Sequence, residues 1–366
     1  MSNEYQYPNE PLRFTPRDID ELLTFCAEQQ ASDITFQTSE PVVVEIYGRL
    51  HKITKRKLTH GEVSNILNAI YGPNGTTQIL SGEDVDTHYE FTPTRGLRYR
   101  FRVNGTGCQV EGHAGIQLTL RTIPTLPPDL ATLNLPPNIL AALTPEDGVV
   151  YITGATGSGK STLLASIIKD IAQDPDSHRK ILTYESPIEF VFDDIEKPST
   201  VISQSEIPRH LPSFAAGVRN ALRRKPRLIL VGESRDAEAL TGHPVYTTLH
   251  SNGVAETIRR LVGSFPSDER VGRTIDIIET IRLIIWQKLV PTVDGKRVAL
   301  REYLIFDEGV RDKLLSIDPT AVTAKTRELV REYGQTMLTD VEKKFSEGVI
   351  SEQTYTMLSK GLKLIG

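Results

Sequence analysis

The sequence predicts a two-domain α/β protein: a mixed α+β N-terminal domain, a second domain built on a parallel sheet, and a helical C-terminal tail. Three observations predict it. The chain has 366 residues, more than one ordinary hydrophobic core serves and about right for two. A proline-dense stretch, PTLPPDLATLNLPP from Pro124 to Pro137, disfavours helix and interrupts sheet pairing, so it reads as an extended linker. The pattern also changes across that stretch, from a run of strands to alternating strands and helices. The expected boundaries are 1–123, 124–137 for the linker, 138–310 for the parallel-sheet domain and 311–366 for the tail.

The first helix is signalled by Thr15 as N-cap, Pro16 at the first helical position and Asp18 in the capping-box place. Ile19, Leu22, Leu23, Cys26 and Ala27 then share one face, which makes Cys26 a core residue rather than a reactive thiol. Strand-like runs follow: DITFQT, VVVEIYGRLHKI, DTHYEF, RYRFRV and IQLTLRTI. The helical run EVSNILNAIY interrupts them, and the whole predicts an antiparallel sheet with helices against it.

Beyond the linker, GVVYITG, KILTYE, RLILVGE and HPVYTTLH alternate with STLLASIIKDIA and SFAAGVRNALRR. That alternation predicts a parallel sheet covered on both faces. The run TIDIIETIRLIIWQKL, from Thr274, is the richest in apolar residues. Asp276, Glu279 and Arg282 interrupt it, so it falls short of the ~20 apolar residues of a membrane span and reads as a buried helix. AVTAKTRELVREYG, TDVEKKFSEG and SEQTYTMLSKGL read as the short helices of the tail.

Composition narrows the function. The net charge of −5 supplies no global basic field of the kind that favours non-specific nucleic-acid binding. Two cysteines, Cys26 and Cys108, form no CxxC pair, which argues against a structural zinc site or a disulfide framework and fits a reducing cytoplasm. The N-terminal residues carry no apolar signal core. Attachment to a membrane would therefore come through a partner.

GATGSGKS, from Gly154 to Ser161, satisfies G-x-x-x-x-G-K-[ST]. It follows an apolar strand and opens a helix, the context this motif requires. Gly154, Gly157 and Gly159 let the backbone turn its N–H groups inward as an anion nest, and the helix adds its positive N-terminal end. Lys160 is expected to reach the β- and γ-phosphates of ATP and Ser161 to ligate Mg²⁺. Thr156, Ser158 and Thr162 complete the expected nucleotide contacts. Hydrolysis also needs a group beside the γ-phosphate to orient water. Glu185 ends ILTYE and Glu233 ends LILVGE, and carboxyl ends of parallel strands face the ligand. The plainer reading of each is a solvated acid at a strand end.

In order along the chain, GATGSGKST, ILTYESPIEF, ISQSEIPRHLPSFAAGVRNALRRKPRLILVGESRD and TGHPVYTTLHSN resemble the Walker A, Asp-box, Walker B and His-box motifs of the PilT/VirB11 superfamily of secretion ATPases. ASDITF and RYRFRVN…LRTIP also look like that family's N-terminal domain, so the resemblance runs from about residue 30 to residue 290. It implies a PAS-like N-terminal domain, a RecA-like ATPase domain and a homohexameric ring. Motif by motif, it implies Glu185 and Glu233 as the catalytic carboxylates and His243 and His250 as histidines sensing the nucleotide state. Arg121, with Arg100 or Arg102, resembles the N-domain arginines that approach the phosphates. A bound guanidinium forks onto phosphate oxygens, so domain closure would couple to hydrolysis. The plainer reading of Arg98, Arg100 and Arg102 is one exposed sheet face, since alternate strand residues share a side. A metal pair at His243 and His250 is disfavoured, because no Cys or H-x-x-x-H spacing supplies a third ligand.

Within the superfamily the sequence leans toward the DotB/TraJ branch, which serves type IVB secretion and related conjugative transfer. The four-cysteine module of pilus-assembly ATPases and the AIRNLIRE run of retraction ATPases are both absent. The resemblance implies a cytoplasmic ring recruited peripherally to the inner membrane, with a secretion-channel or coupling ATPase as partner. A pilus-retraction motor and a nucleotide-gated scaffold with little hydrolysis are the alternatives. A direct nucleic-acid motor is weaker, and the cluster Arg219, Arg223, Arg224, Lys225 and Arg227 reads as an inter-subunit or partner surface.

The sequence departs from the family in places. Ser186 stands where the Asp box has aspartate, and Pro208 where glycine is common. Only AEAL separates GESRD from TGH, where relatives place about twelve residues, the length a parallel crossover needs. The shortfall reads as residues left out of this chain rather than as a lost helix.

Overall fold

The structure, a computed structural model, describes residues 5–123, 126–232 and 242–363. The chain divides into two compact units, Met1–Thr125 and Leu126–Gly366.

In the first unit, α1 (Pro16–Glu28) begins at Thr15, whose backbone N–H donates to Asp18 Oδ2 at 2.7 Å. Strands β1 (Asp33–Gln37), β2 (Val43–Ile46), β3 (Arg49–Lys52), β4 (Val85–Thr94), β5 (Leu97–Val110) and β6 (His113–Ile123) pair antiparallel in the order β3-β2-β1-β6-β5-β4. Ile19, Leu22, Leu23 and Cys26 of α1 pack with Val63, Ile66 and Leu67 of α2 (His60–Tyr71) against Ile34, Phe36, Leu118 and Leu120 of the sheet. Burial pushes the Cys26 thiol well up, which suits a core residue. VVVEIYGRLHKI, expected as one strand, is instead a hairpin. Tyr47 (φ 49°) and Gly48 (φ 76°) both lie in the left-handed region, as a two-residue hairpin turn demands.

Helix α3 (Gly75–Leu80) completes the first unit. The second unit holds β7 (Val149–Thr153), β8 (Lys180–Glu185), β9 (Val201–Glu206), β10 (Leu228–Val231), β11 (Val245–Leu249), β12 (Ile281–Pro291) and β13 (Arg297–Ile305), with α4 (Pro137–Ala142) before β7 and α7 (Val254–Gly263) after β11. They run in the order β13-β12-β7-β11-β10-β8-β9, all neighbours parallel except β12 with β13. The expected buried helix over TIDIIETIRLIIWQKL is half wrong. Its first part belongs to α8 (Arg270–Thr280), but Ile281–Pro291 is β12, between β7 and β13. A short apolar run does not reveal its period, and here the β-branched and aromatic residues after Thr280 favour the sheet.

The proline-rich stretch also differs from expectation. Leu130–Leu133 form a short 3-10 helix, and Leu130 and Leu135 are buried in the same cluster as Leu163, Leu164 and Ile167 of α5 (Lys160–Gln173). Lys169 Nζ donates to the Pro127 carbonyl at 3.1 Å and to Asp129 Oδ1 at 2.5 Å. Leu130 and Leu135 are thus packed with α5, and Leu130–Leu133 are helical rather than extended.

The C-terminal helices are α9 (Glu308–Leu315), α10 (Val322–Tyr333), α11 (Met337–Ser346) and α12 (Glu352–Lys363). Met337, Val341, Ile350 and Leu358 bury Val290 and Leu300 of β12 and β13 beneath them.

Candidate nucleotide-binding site

The fully buried strand β7 delivers the chain to the loop 154–159, and α5 carries it away. Gly159 is the N-cap of α5 at φ 82°, a conformation that L side chains rarely adopt. A Cβ there would also come within 2.9 Å of Gln287 Nε2. At Gly154 a Cβ would fall on the backbone carbonyl of Gln287. Two of the motif glycines are therefore required by the close approach of β12 as well as by the turn itself. Lys160 is buried, and its Nζ donates to the carbonyls of Gly154 at 3.0 Å and Ala155 at 2.8 Å.

One cleft is lined by Thr156, Gly157, Lys160 and Ser161 together with Glu185, Glu189, Thr248 and His250. The sheet explains the gathering. β7, β8, β10 and β11 are parallel neighbours, so their carboxyl ends open on the same edge as the loop. Glu185 closes β8, where Thr183 Oγ1 donates to its Oε1 at 2.6 Å and Gln204 Nε2 at 3.2 Å. Gln204, opposite Thr183 on β9, also donates to the Phe190 carbonyl at 2.9 Å and accepts from Phe192 N at 3.0 Å. Gly232 N donates to the Tyr184 carbonyl at 2.7 Å, and a Cβ on Gly232 would meet Glu185 Cα at 3.2 Å. The end of β10 is thereby drawn close against Glu185. Glu233 itself, with the short segment between Asp236 and Thr241, lies outside the described residues.

The two histidines part company. His250 follows β11 directly and lines the cleft. His243 precedes β11 and is half-buried. A five-residue strand separates the two histidines, roughly 16 Å of extended chain, so the structure does not bring His243 to the loop edge. Ser158 and Thr162 lie in the loop and the first turn of α5 but do not line the cleft.

The four arginines belong to the first unit. Arg98 and Arg100 both pair with Glu90 of β4, at 3.4 and 3.0 Å, and Arg102 pairs with Asp86 at 2.9 Å. Arg121 faces Arg102 across β5 and β6 and donates to Asp33 Oδ1 at 2.9 Å. Arg100 is buried, whereas the Arg121 side chain is 69% exposed, which leaves Arg121 the more open of the two to a further ligand.

Sequence reasoning missed Thr183, Gln204, Thr248 and Gln287. Gln204 carried one signal, an amide inside the β-type run VISQSE. Gln287 was hidden by the helical reading of its strand.

Comparison with known proteins gives four findings. Residues 10–340 match the family model described as type II/IV secretion system protein. The chain is 33% identical over 303 residues to the type IV pilus retraction ATPase PilT of Pseudomonas aeruginosa, covering 81% of this chain and 84% of that one. The X-ray structure of the Legionella pneumophila ATPase DotB superposes with a TM-score of 0.90 at 64% identity, over 98% of this chain and all of that one. The crystal structure of the pilus retraction motor PilT with bound ADP superposes at 0.77 with 30% identity, over 92% and 95%.

Proposed function

The chain belongs to the type II/IV secretion system protein family, and on that premise we propose how it works: as a Mg²⁺-dependent hexameric ring whose ATP cycle powers substrate transfer by a type IVB secretion or conjugation apparatus. It is an ATP-hydrolysing secretion ATPase, and its likeness to DotB exceeds its likeness to the pilus-retraction relatives in both identity and fold agreement. The observation that carries the site is the shared cleft of Lys160, Ser161 and Glu185 at the carboxyl edge of the sheet.

In this reading the loop N–H groups and the N-terminus of α5 hold the phosphates, and Lys160 exchanges its loop carbonyls for phosphate oxygens. The Ser161 hydroxyl, a hard oxygen donor lining the cleft, suits Mg²⁺, which would neutralise phosphate charge there. Glu185, with its Oε1 held by Thr183 and Gln204, orients the attacking water. Glu233, the residue after Gly232 in sequence, supports it, and His250 reads the γ-phosphate. Arg121, with Arg100 or Arg102, closes the site when the N-terminal domain moves. His243 belongs to the same His-box sequence, and its part would be to anchor the start of β11.

Subunits pair head to tail around a closed ring. No helix among the described residues is long and apolar enough to cross a membrane. We place the ring in the cytoplasm, recruited to the inner membrane by a channel or coupling ATPase of the apparatus. Binding of ATP by the parent and by Lys160→Ala tests the site. Tight binding by the parent and none by the variant supports it, and equal binding by both removes it.

A further inference from the structure

A chain of buried polar groups leads away from the phosphate loop, and none of them touches the cleft. Gln287 of β12 donates from Nε2 to the Ser158 carbonyl at 2.7 Å. Its Oε1 accepts from Arg301 Nε at 2.9 Å, across the β12–β13 pair where the two residues are partners. Arg301 Nη1 donates to the Leu133 carbonyl at 3.0 Å, and its backbone N–H donates to Asp340 Oδ2 of α11 at 2.8 Å. Gln287, Arg301 and Asp340 are 3%, 7% and 7% exposed. The guanidinium is thus buried and spent on uncharged acceptors, and desolvation pulls its pKa down to about 10. An apolar residue in its place would leave the Leu133 carbonyl and the Gln287 amide oxygen without that donor.

The geometry gives these groups a task. In a trans peptide the C=O and the next N–H point in opposite directions. Fixing the Ser158 carbonyl toward Gln287 therefore fixes the Gly159 N–H the other way, away from Gln287. An amide alone could be turned end for end. Arginine has no acceptor, so Arg301 settles the choice: the oxygen of Gln287 must face Arg301 and the NH₂ must face Ser158.

We propose that Gln287 and Arg301 are positioning residues for the phosphate-binding loop: Arg301 orients the Gln287 amide, and Gln287 aims the Gly159 N–H at the phosphates of ATP. Because Arg301 also holds the Leu133 carbonyl and α11, the loop, the proline-rich stretch and the C-terminal helices share one buried hydrogen-bonded chain. The inference rests on the reading that this loop binds ATP.

The test is Mg·ATP binding by calorimetry, with KM, kcat and Tm, on the full chain. Gln287→Glu keeps the size and still accepts from Arg301, but has no proton for the Ser158 carbonyl. The inference predicts that its Kd and KM for ATP rise about tenfold or more, the equivalent of one lost hydrogen bond, while kcat at saturation changes little and Tm stays near the parent. Arg301→Lys, still a donor to the amide, is expected to bind ATP more tightly than Arg301→Met. A Gln287→Glu protein that binds ATP within about twofold of the parent overturns the inference. Should Gln287→Glu not fold, equal Kd in Arg301→Lys and Arg301→Met overturns it instead. A parent that fails to bind ATP removes the nucleotide reading and the inference together. Parent-like binding in Gln287→Glu, with binding lost in Lys160→Ala, removes the inference alone.

Discussion

Gln204 Nε2 stands 3.2 Å from Glu185 Oε1 while also donating to the Phe190 carbonyl at 2.9 Å, so one amide ties the candidate catalytic carboxylate to the loop that follows it. Positioning of this kind governs rate more than affinity, because small displacements of a group beside the reacting atoms are costly. Gln204→Leu is expected to lower kcat by about 10–100-fold and to leave KM for ATP within about threefold. Steady-state kinetics check this, and a rise in KM at unchanged kcat would contradict it.

Glu185→Gln tests the carboxylate itself. The amide keeps shape and still accepts from Thr183, but it cannot polarise water as an anion does. Hydrolysis is expected to fall by about a hundredfold or more, with ATP binding retained. Single-turnover hydrolysis beside equilibrium binding separates the two effects. Unchanged turnover would return Glu185 to a solvated strand-end acid.

A helix glycine gives a prediction of unusual sign. Replacing an exposed glycine by alanine within a helix ordinarily stabilises by ~1 kcal/mol. Gly217 lies in α6 (Phe214–Leu222), however, and a Cβ there would meet Tyr184 Cδ1 at 2.6 Å. Tyr184 is fully buried, and its ring has no room to retreat. Gly217→Ala is therefore expected to destabilise by about 1–3 kcal/mol and, since Tyr184 precedes Glu185, to slow hydrolysis as well. Urea unfolding reads the sign, and added stability would contradict the packing argument.

The first unit carries its own pH signature. Burial raises the Glu62 carboxyl, but the Arg56 guanidinium and the backbone N–H groups of Thr59 and Phe14 outweigh that and hold it at about 2. The folded pKa is depressed, so the stabilisation is fully present above the ordinary glutamate value of about 4.3 and lost as pH falls through about 2. Its size is on the order of 3 kcal/mol. Urea unfolding at stepped pH is expected to show Glu62→Gln well below the parent at pH 6 and converging on it toward pH 2. A gap independent of pH would contradict this assignment.

Much of the site was legible because its signals are local. The phosphate loop is a spacing of glycines between a strand and a helix, and Glu185 is marked by the end of an apolar run. What escaped depends on which strands become neighbours. Gln204 matters because β9 pairs with β8, and Gln287 because β12 lies beside β7. His243 and His250 look adjacent in sequence, yet an intervening strand carries them to opposite edges of the sheet. The helix read into residues 281–289 failed for a related reason: a doubly buried central strand shows no alternation that would set it apart from a buried helix.

An ATP-driven ring is tested by steady-state ATP hydrolysis as a function of protein concentration, with Lys160→Ala and Glu185→Gln measured beside the parent. Activity per chain is expected to rise cooperatively with concentration and to be lost in both variants. Activity per chain that is independent of concentration, or a parent that binds ATP but hydrolyses it no faster than either variant, would contradict it.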